Sequence, residues 1–315
     1  MASKEVAIEM ILLSQTTVGF LGNFLLLFHY SFLYYTRGTL RFTDLVLEHL
    51  TVANILVILS KGLTHTVTAL ELKHFWDDFL CKLVFYAHRV SRGVCMGTTC
   101  LLSVFQAITI SPTGSRWAQL KPQAPQCIGP LSILCWILNM LVNILIVQFV
   151  TGQQNKMNTT RYKDLGYCSI VDFHNSIMGF LLILLFSSYD VLCLGLMTWS
   201  SGSMVCILRR HKQQVQHIHS TNLSPRSSPE SRVTQSILVL VSTFVAFYTL
   251  SSVFTLLLAI FPNPDLWLVN TSALIAACFP TVSPFLLMGR DPRIPSIHSA
   301  CCGRNTIFSK LIQFL

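Results

Sequence analysis

Long stretches of this chain carry no charge. Met10–Thr36, Pro122–Asn155, Val233–Pro264 and Leu266–Gly289 contain no Asp, Glu, Lys or Arg, and Phe173–Leu208 is broken once, by Asp190. Each exceeds the ~20 mostly apolar residues a helix needs to cross a bilayer. Two further segments are mixed: Leu45–Leu70 holds Glu48 and Lys61, and Leu80–Ser111 holds Lys82, Arg89 and Arg92. The pattern therefore predicts seven spanning helices, approximately 7–33, 44–70, 81–110, 128–150, 174–208, 233–261 and 266–289, with a tail 290–315. Hydrocarbon offers the backbone no partners, so each span must satisfy its own amides as a helix. The expected architecture is an all-α membrane protein, a single seven-transmembrane unit over 1–315.

Composition strengthens this. Hydrophobic residues make up 52% of the 315, charged residues only 11%, and mean hydropathy is +0.58. A soluble domain carries about 25% charged residues, so these few could not cover the surface of a globule this long. The first apolar run is too long for a signal-peptide core and lacks a clear small-residue cleavage site, so it is expected to remain as the first span.

Seven spans put the two ends on opposite sides. With the N-terminus outside, the inner segments hold Arg37, Arg41, Arg116, Lys121, Arg209, Arg210, Lys212, Arg226, Arg232, Arg290, Arg293, Arg304 and Lys310. The outer segments hold Lys4, Lys73, Lys156, Arg161 and Lys163. Basic residues concentrate on the cytoplasmic side of membrane proteins, which favours this orientation. The net charge of +9 then reads as a cytoplasmic rim facing anionic lipid or an acidic partner. No soluble module is present to bind nucleic acid.

Of eleven cysteines, only Cys81 and Cys168 fall at the outer, oxidising surface in this topology. A Cys81–Cys168 disulfide is expected, the alternative being two free thiols. Among three N-x-S/T sequons, Asn158 lies in the long outer loop and is the expected glycosylation site. Asn222 is cytoplasmic and Asn270 lies within the last span. The inner loop 209–232 carries His211, His217 and His219, which read as part of a solvated basic face rather than a metal site. Cys301 and Cys302 follow the last span and are either palmitoylated or plain thiols.

Charges inside the spans need partners, since one near mid-membrane costs at least ~2.5–3.5 kcal/mol. From the helical rise, Arg89 and Arg92 lie roughly 12 and 16 Å below Cys81, and Asp190 roughly 24 Å along its span from His174. An Arg92–Asp190 contact is expected. Glu48 is too near the cytoplasm to reach the arginines. Two arginines, Lys61 and His88 against one mid-depth acid leave the outer half positive. Either these cations lock helices together or they face a cavity for an anionic or strongly hydrogen-bond-accepting ligand. Candidate cavity residues between spans three, five, six and seven are Lys61, His88, Arg89, Arg92, Asp190, Tyr248 and Asn270. No catalytic motif, metal-ligand set or cofactor motif is apparent, so no enzyme is expected. No internal repeat points to a transporter.

Three stretches resemble vomeronasal type-1 receptors, pheromone receptors of the G-protein-coupled class. They are "CKLVFYAHRVSRGVCMGTTCLLSVFQAITISP" (81–112), the segment from "DVLCLGLMTWSS" (190–201) on to Val245, and "LVNTSALIAACFPTVSPFLLMGRD" (268–291). The likeness runs from "GNFLLLFHY" (22–30) to Asp291. It implies a rhodopsin-like bundle in the plasma membrane of sensory neurons, a small pheromone-like ligand, and coupling to an inhibitory-class heterotrimeric G protein. Arg209, Arg210 and Lys212, at the basic end of span five, are the expected contacts for that partner. In this resemblance Cys81 and Cys168 match the family's disulfide pair and Asn158 its glycosylation position. Gly22-Asn23 and Trp136 match general receptor landmarks, but Asn54 stands where span two usually has Asp. "QAITIS" replaces D-R-Y, span six has no C-W-x-P, and Pro284 lies in "SPFLLM" without N-P-x-x-Y. Within the family, Glu48 and Phe42 stand where lysine and proline are more frequent. A bitter-taste-type chemoreceptor, or a seven-span transporter or channel, is the alternative.

Overall fold

The computed structural model describes residues 2–38, 41–69, 77–112, 116–148, 150–152, 162–164, 168–171, 177–218, 229–261 and 266–289. Seven helices follow one another: α1 Ala2–Arg37, α2 Phe42–Ala69, α3 Asp78–Ile110, α4 Ala124–Val147, α5 Ile177–Ile218, α6 Pro229–Ile260 and α7 Leu266–Met288. All seven are long and apolar enough to cross a membrane. A short 3-10 helix, Arg116–Leu120, links α3 to α4.

Local chemistry sets several of the ends. Asp77 caps α3 by accepting from the Leu80 amide at 2.8 Å, which satisfies one of the first-turn donors. Lys82 pairs with Asp78 one turn back at 2.6 Å. α1 stops at Gly38, whose φ of +69° is cheap only for glycine and whose amide returns to the Tyr34 carbonyl at 2.8 Å. α5 runs past the expected boundary at 208, because helix continues through the basic stretch to Ile218.

Between α4 and α5 the sequence pattern predicts only a loop. Three short strands form there instead: β1 Val150–Gly152, β2 Tyr162–Asp164 and β3 Cys168–Val171. They make an antiparallel sheet in the order β1-β3-β2, with Gly152 opposite Cys168. Cys168 is bonded to Cys81 in the first turn of α3, with the Cα atoms 5.9 Å apart. The disulfide thus fastens the sheet to one end of the bundle, called the disulfide end below. Asn158 lies outside the described residues, as do His219, Asn222, Cys301, Cys302 and the tail 290–315.

α3 is the central helix: 56% of its membrane window is buried, against 17% for α4 and for α5. Tyr30, Leu50, Met96, Met197, Leu240, Phe244 and Phe279 form the interior. Phe24, Phe28, Leu138, Leu141 and Val191 point outward, as lipid-facing side chains must. Without a hydrophobic drive between helices in lipid, close contact rests on small residues and buried polar groups. Both are present. Gly93 and Gly97 of α3 let α4 approach closely: a Cβ at Gly93 would overlap the Asn139 side chain, and one at Gly97 the Cys135 thiol.

The buried polar groups gather at Asn54, which joins four helices. Its Nδ2 donates to Asn23 Oδ1 at 3.3 Å and to Ser283 Oγ at 3.0 Å, and its Oδ1 accepts from the Cys95 thiol at 3.2 Å. Asn23 in turn donates to the Pro280 carbonyl at 2.8 Å. That carbonyl lacks its backbone donor because residue 284, four places on, is proline and has no amide to donate, although the Ser283 hydroxyl also approaches it at 3.5 Å. The proline of "SPFLLM" therefore creates an acceptor in α7 that α1 satisfies.

Candidate functional site

The charged residues inside the bundle cluster toward the disulfide end. Arg89 and Arg92, three apart on α3, diverge. Arg92 reaches α5 and α6: its Nη2 lies 3.4 Å from Asp190 Oδ2 and donates to Ser252 Oγ at 3.0 Å. Its guanidinium also stands 5.7 Å from the centre of the Tyr248 ring. The Arg92–Asp190 contact expected from depth is therefore present. Arg89 turns toward α4 and the upper part of α5. Its Nε donates to Asn143 Oδ1 at 3.3 Å, and its guanidinium lies 4.1 Å over the Phe186 ring, within the range of a cation–π attraction. One turn before Arg92, His88 Nδ1 sits 3.2 Å from Ser60 Oγ of α2. Lys61 follows on α2 the Ser60 that His88 meets.

A small cavity of about 10 Å³ lies beside this cluster, about the least that admits one water molecule. His88, Arg92, Tyr248 and Ser251 provide its polar lining, and Phe279 its floor. Of the residues expected to face a cavity, three line it. Lys61, Arg89, Asp190 and Asn270 do not, although the first three adjoin the same charged cluster and Asn270 lies nearer the start of α7. The lining comes from α2, α3, α6 and α7, and α5 supplies none of it. Ser252, Asn143 and Phe186, which hold the guanidinium groups, were not foreseen. A neutral amide or a ring on another helix carries no sign in sequence of which charge it will meet.

Tyr248 is fixed by aromatic packing. It stacks on Phe244 with ring centres 3.9 Å apart, and both meet Phe279 edge-on, at 5.9 and 4.6 Å. Such offset and edge contacts add to area burial. The cations thus stand over an aromatic floor that runs into the core of α6 and α7.

At the far end of the bundle Arg209 and Arg210 are exposed near the end of α5. Lys212 also belongs to α5, and its side chain is outside the described residues. Among the described residues, no three His, Cys, Asp or Glu side chains come together as a metal site.

Comparison with known proteins agrees with the architecture. Residues 6–300 match the family model described as the vomeronasal organ pheromone receptor family. The chain is 63% identical over 314 residues to vomeronasal type-1 receptor 3 of Homo sapiens, covering 99% of this chain and 100% of the relative. It is 57% identical over 294 residues to the human vomeronasal type-1 receptor 4, covering 93% and 97% of the two chains. Olfactory receptor class A-like protein 1 of Danio rerio is 29% identical over 283 residues, covering 90% and 88%.

Proposed function

This chain belongs to the vomeronasal type-1 receptor family, and on that premise we propose that it binds a small anionic or strongly hydrogen-bond-accepting molecule beneath the disulfide end and activates an inhibitory-class G protein. As a member of that family it is a multi-pass receptor of the plasma membrane and not an enzyme. The chemistry of the ligand, the class of the G protein and the outward orientation of the disulfide end belong to the proposal.

One observation carries the ligand reading. His88, Arg89 and Arg92 lie within little more than one turn of α3, with Lys61 next to the Ser60 that His88 meets, and among the described residues Asp190 is the carboxylate that pairs with them, through Arg92. Among the described residues, the side-chain contacts of the Arg89 guanidinium are a neutral amide and a ring. A ligand anion would supply the charge this group lacks.

The same contacts suggest how occupancy reaches the far end. Arg92 ties α3 to α5 through Asp190 and to α6 through Ser252. A cavity of about 10 Å³ must widen to take an organic molecule. A ligand that takes over Arg92 weakens both ties and favours a state in which α5 and α6 have moved away from α3. Because it binds that state more tightly, it shifts the population toward it. Arg209, Arg210 and Lys212 lie on the extension of α5, the helix so released, and are the proposed G-protein contacts.

A G-protein activation assay in cells, screening volatile compounds and anionic steroids, tests this directly. Arg89→Ala and Arg92→Ala are expected to weaken the response to anionic agonists at least tenfold, and pertussis toxin to abolish it. If both variants answer every agonist as the parent does, the cations serve helix packing and the ligand reading fails.

A further inference from the structure

A roomier cavity than the one beside the cationic cluster lies away from it. At the far end, α3, α5 and the 3-10 helix Arg116–Leu120 enclose about 300 Å³, at the lower edge of small-molecule sites. Val104, Ala107 and Ser111 of α3 recur at helical spacing along one wall, and Trp199 and Arg210 of α5 along the other. From Trp199 to Arg210 the trough runs roughly 16 Å along the helix axis. Trp117 closes its side, its ring 5.3 Å from that of Trp199.

Three features identify the occupant. The lining is mostly apolar, with its one charge, Arg210, at the rim. Arg210 also belongs, with Arg209, to the first charges after the uncharged run Val191–Leu208, so it stands at the hydrocarbon boundary with the trough running inward from it. And the trough opens sideways: Trp199 is 49% exposed, Trp117 39%, and Cys206 is exposed. A soluble protein partner does not reach Val104, Ala107, Trp199 and Ser203, which line the trough from within the apolar spans of α3 and α5, whereas an acyl chain is already there. We infer that the trough is a binding site for one anionic phospholipid of the surrounding leaflet, its acyl chain between α3 and α5 and its headgroup on Arg210.

The assignment separates two neighbouring arginines. Consecutive residues on a helix do not share a face, and only Arg210 lines the trough. Of the three residues proposed above as G-protein contacts, Arg209 and Lys212 keep that role, and Arg210 is given to the lipid. The inference rests on the membrane-spanning architecture and not on the ligand or signalling reading, because its test contains neither ligand nor G protein.

Purified full-length receptor is placed in phosphatidylcholine vesicles containing increasing fractions of phosphatidylserine with brominated acyl chains, and tryptophan emission is followed. Bromine quenches only tryptophans it touches. Half-quenching of the Trp117 and Trp199 component is expected at a several-fold lower mole fraction than with brominated phosphatidylcholine. Trp117→Phe with Trp199→Phe should remove that component from the signal of the five tryptophans in the chain. Arg210→Gln should abolish the headgroup preference while leaving the far-ultraviolet circular dichroism of the receptor unchanged. Equal half-quenching by the two lipids, a preference that survives Arg210→Gln, or tryptophans shielded from every lipid by a second receptor copy would each overturn the inference.

Discussion

Asn54 shows how much a single neutral side chain can hold in hydrocarbon. Its amide donates to α1 and α7 and accepts from α3, and leaving any of these groups alone costs about 1–3 kcal/mol. Restoring the acid usual at this place in other receptors is therefore expected to harm this one. In Asn54→Asp a carboxylate oxygen would face Asn23 Oδ1, and Asn23 cannot flip without losing its bonds to the Gly19 and Pro280 carbonyls. Asn54→Asp should lower the thermal midpoint in detergent, with Asn54→Ala also below the parent; an Asp variant as stable as the parent would show that the network does not bind the helices. Arg92 and Asp190 follow a different rule. Removing one member of a buried pair leaves an uncompensated charge, whereas apolar replacement of both can be neutral. Arg92→Met and Asp190→Leu should each reduce surface expression, and the double variant should recover much of the loss. A purely additive double variant would mean that the 3.4 Å contact is incidental to stability.

At the scale of elements, α3 carries the assembly because its small residues admit its neighbours. A methyl group at Gly93 or Gly97 would run into α4, while one at Gly195 or Gly202 of α5 meets nothing within 4 Å. Gly93→Ala is thus expected to reduce the folded yield, measured by fluorescence size-exclusion chromatography, and Asn139→Ala in the same chain should partly restore it. Gly195→Ala should be neutral or slightly better, since alanine favours helix by ~1 kcal/mol over glycine. Equal effects at both positions would place the defect in helix propensity and not in packing. The Gly93-x-x-x-Gly97 spacing is a known sign of close helix approach, and it lies in the same stretch as the two arginines, whose charges dominate any reading of that segment. Spans were legible because an uncharged run of over twenty residues has few other fates. The Arg92–Asp190 contact was legible because depth and scarcity of acids left one partner. The three strands were not: segments of three or four residues are too short for an alternating pattern to register. Nor was the divergence of Arg89 from Arg92, since spacing fixes where a side chain starts on a helix and packing decides where its long stem ends.

The whole molecule has two chemically different ends, and the proposed orientation rests on them. One end carries the disulfide and the small sheet, and the sequon at Asn158 falls in the chain between β1 and β2. Thirteen basic residues fall in the segments opposite to that end and five in those beside it. Disulfides persist in oxidising compartments and basic loops stay in the cytoplasm, and these two independent rules support the proposed outward orientation of the disulfide end. An epitope placed before Met1 should therefore stain intact cells, and one after Leu315 only permeabilised cells. Asn158→Gln should abolish the shift in electrophoretic mobility on glycosidase treatment. The disulfide fixes β3 to α3 directly above the cationic cluster, so its loss should affect both folding and access to that cluster. Cys81→Ser and Cys168→Ser are each expected to lower surface expression, and together to do no more than either alone, since both remove the same bond. A double variant markedly worse than the singles would give each cysteine a separate task, and staining of the C-terminal epitope on intact cells would invert the topology on which the proposed ligand entry depends.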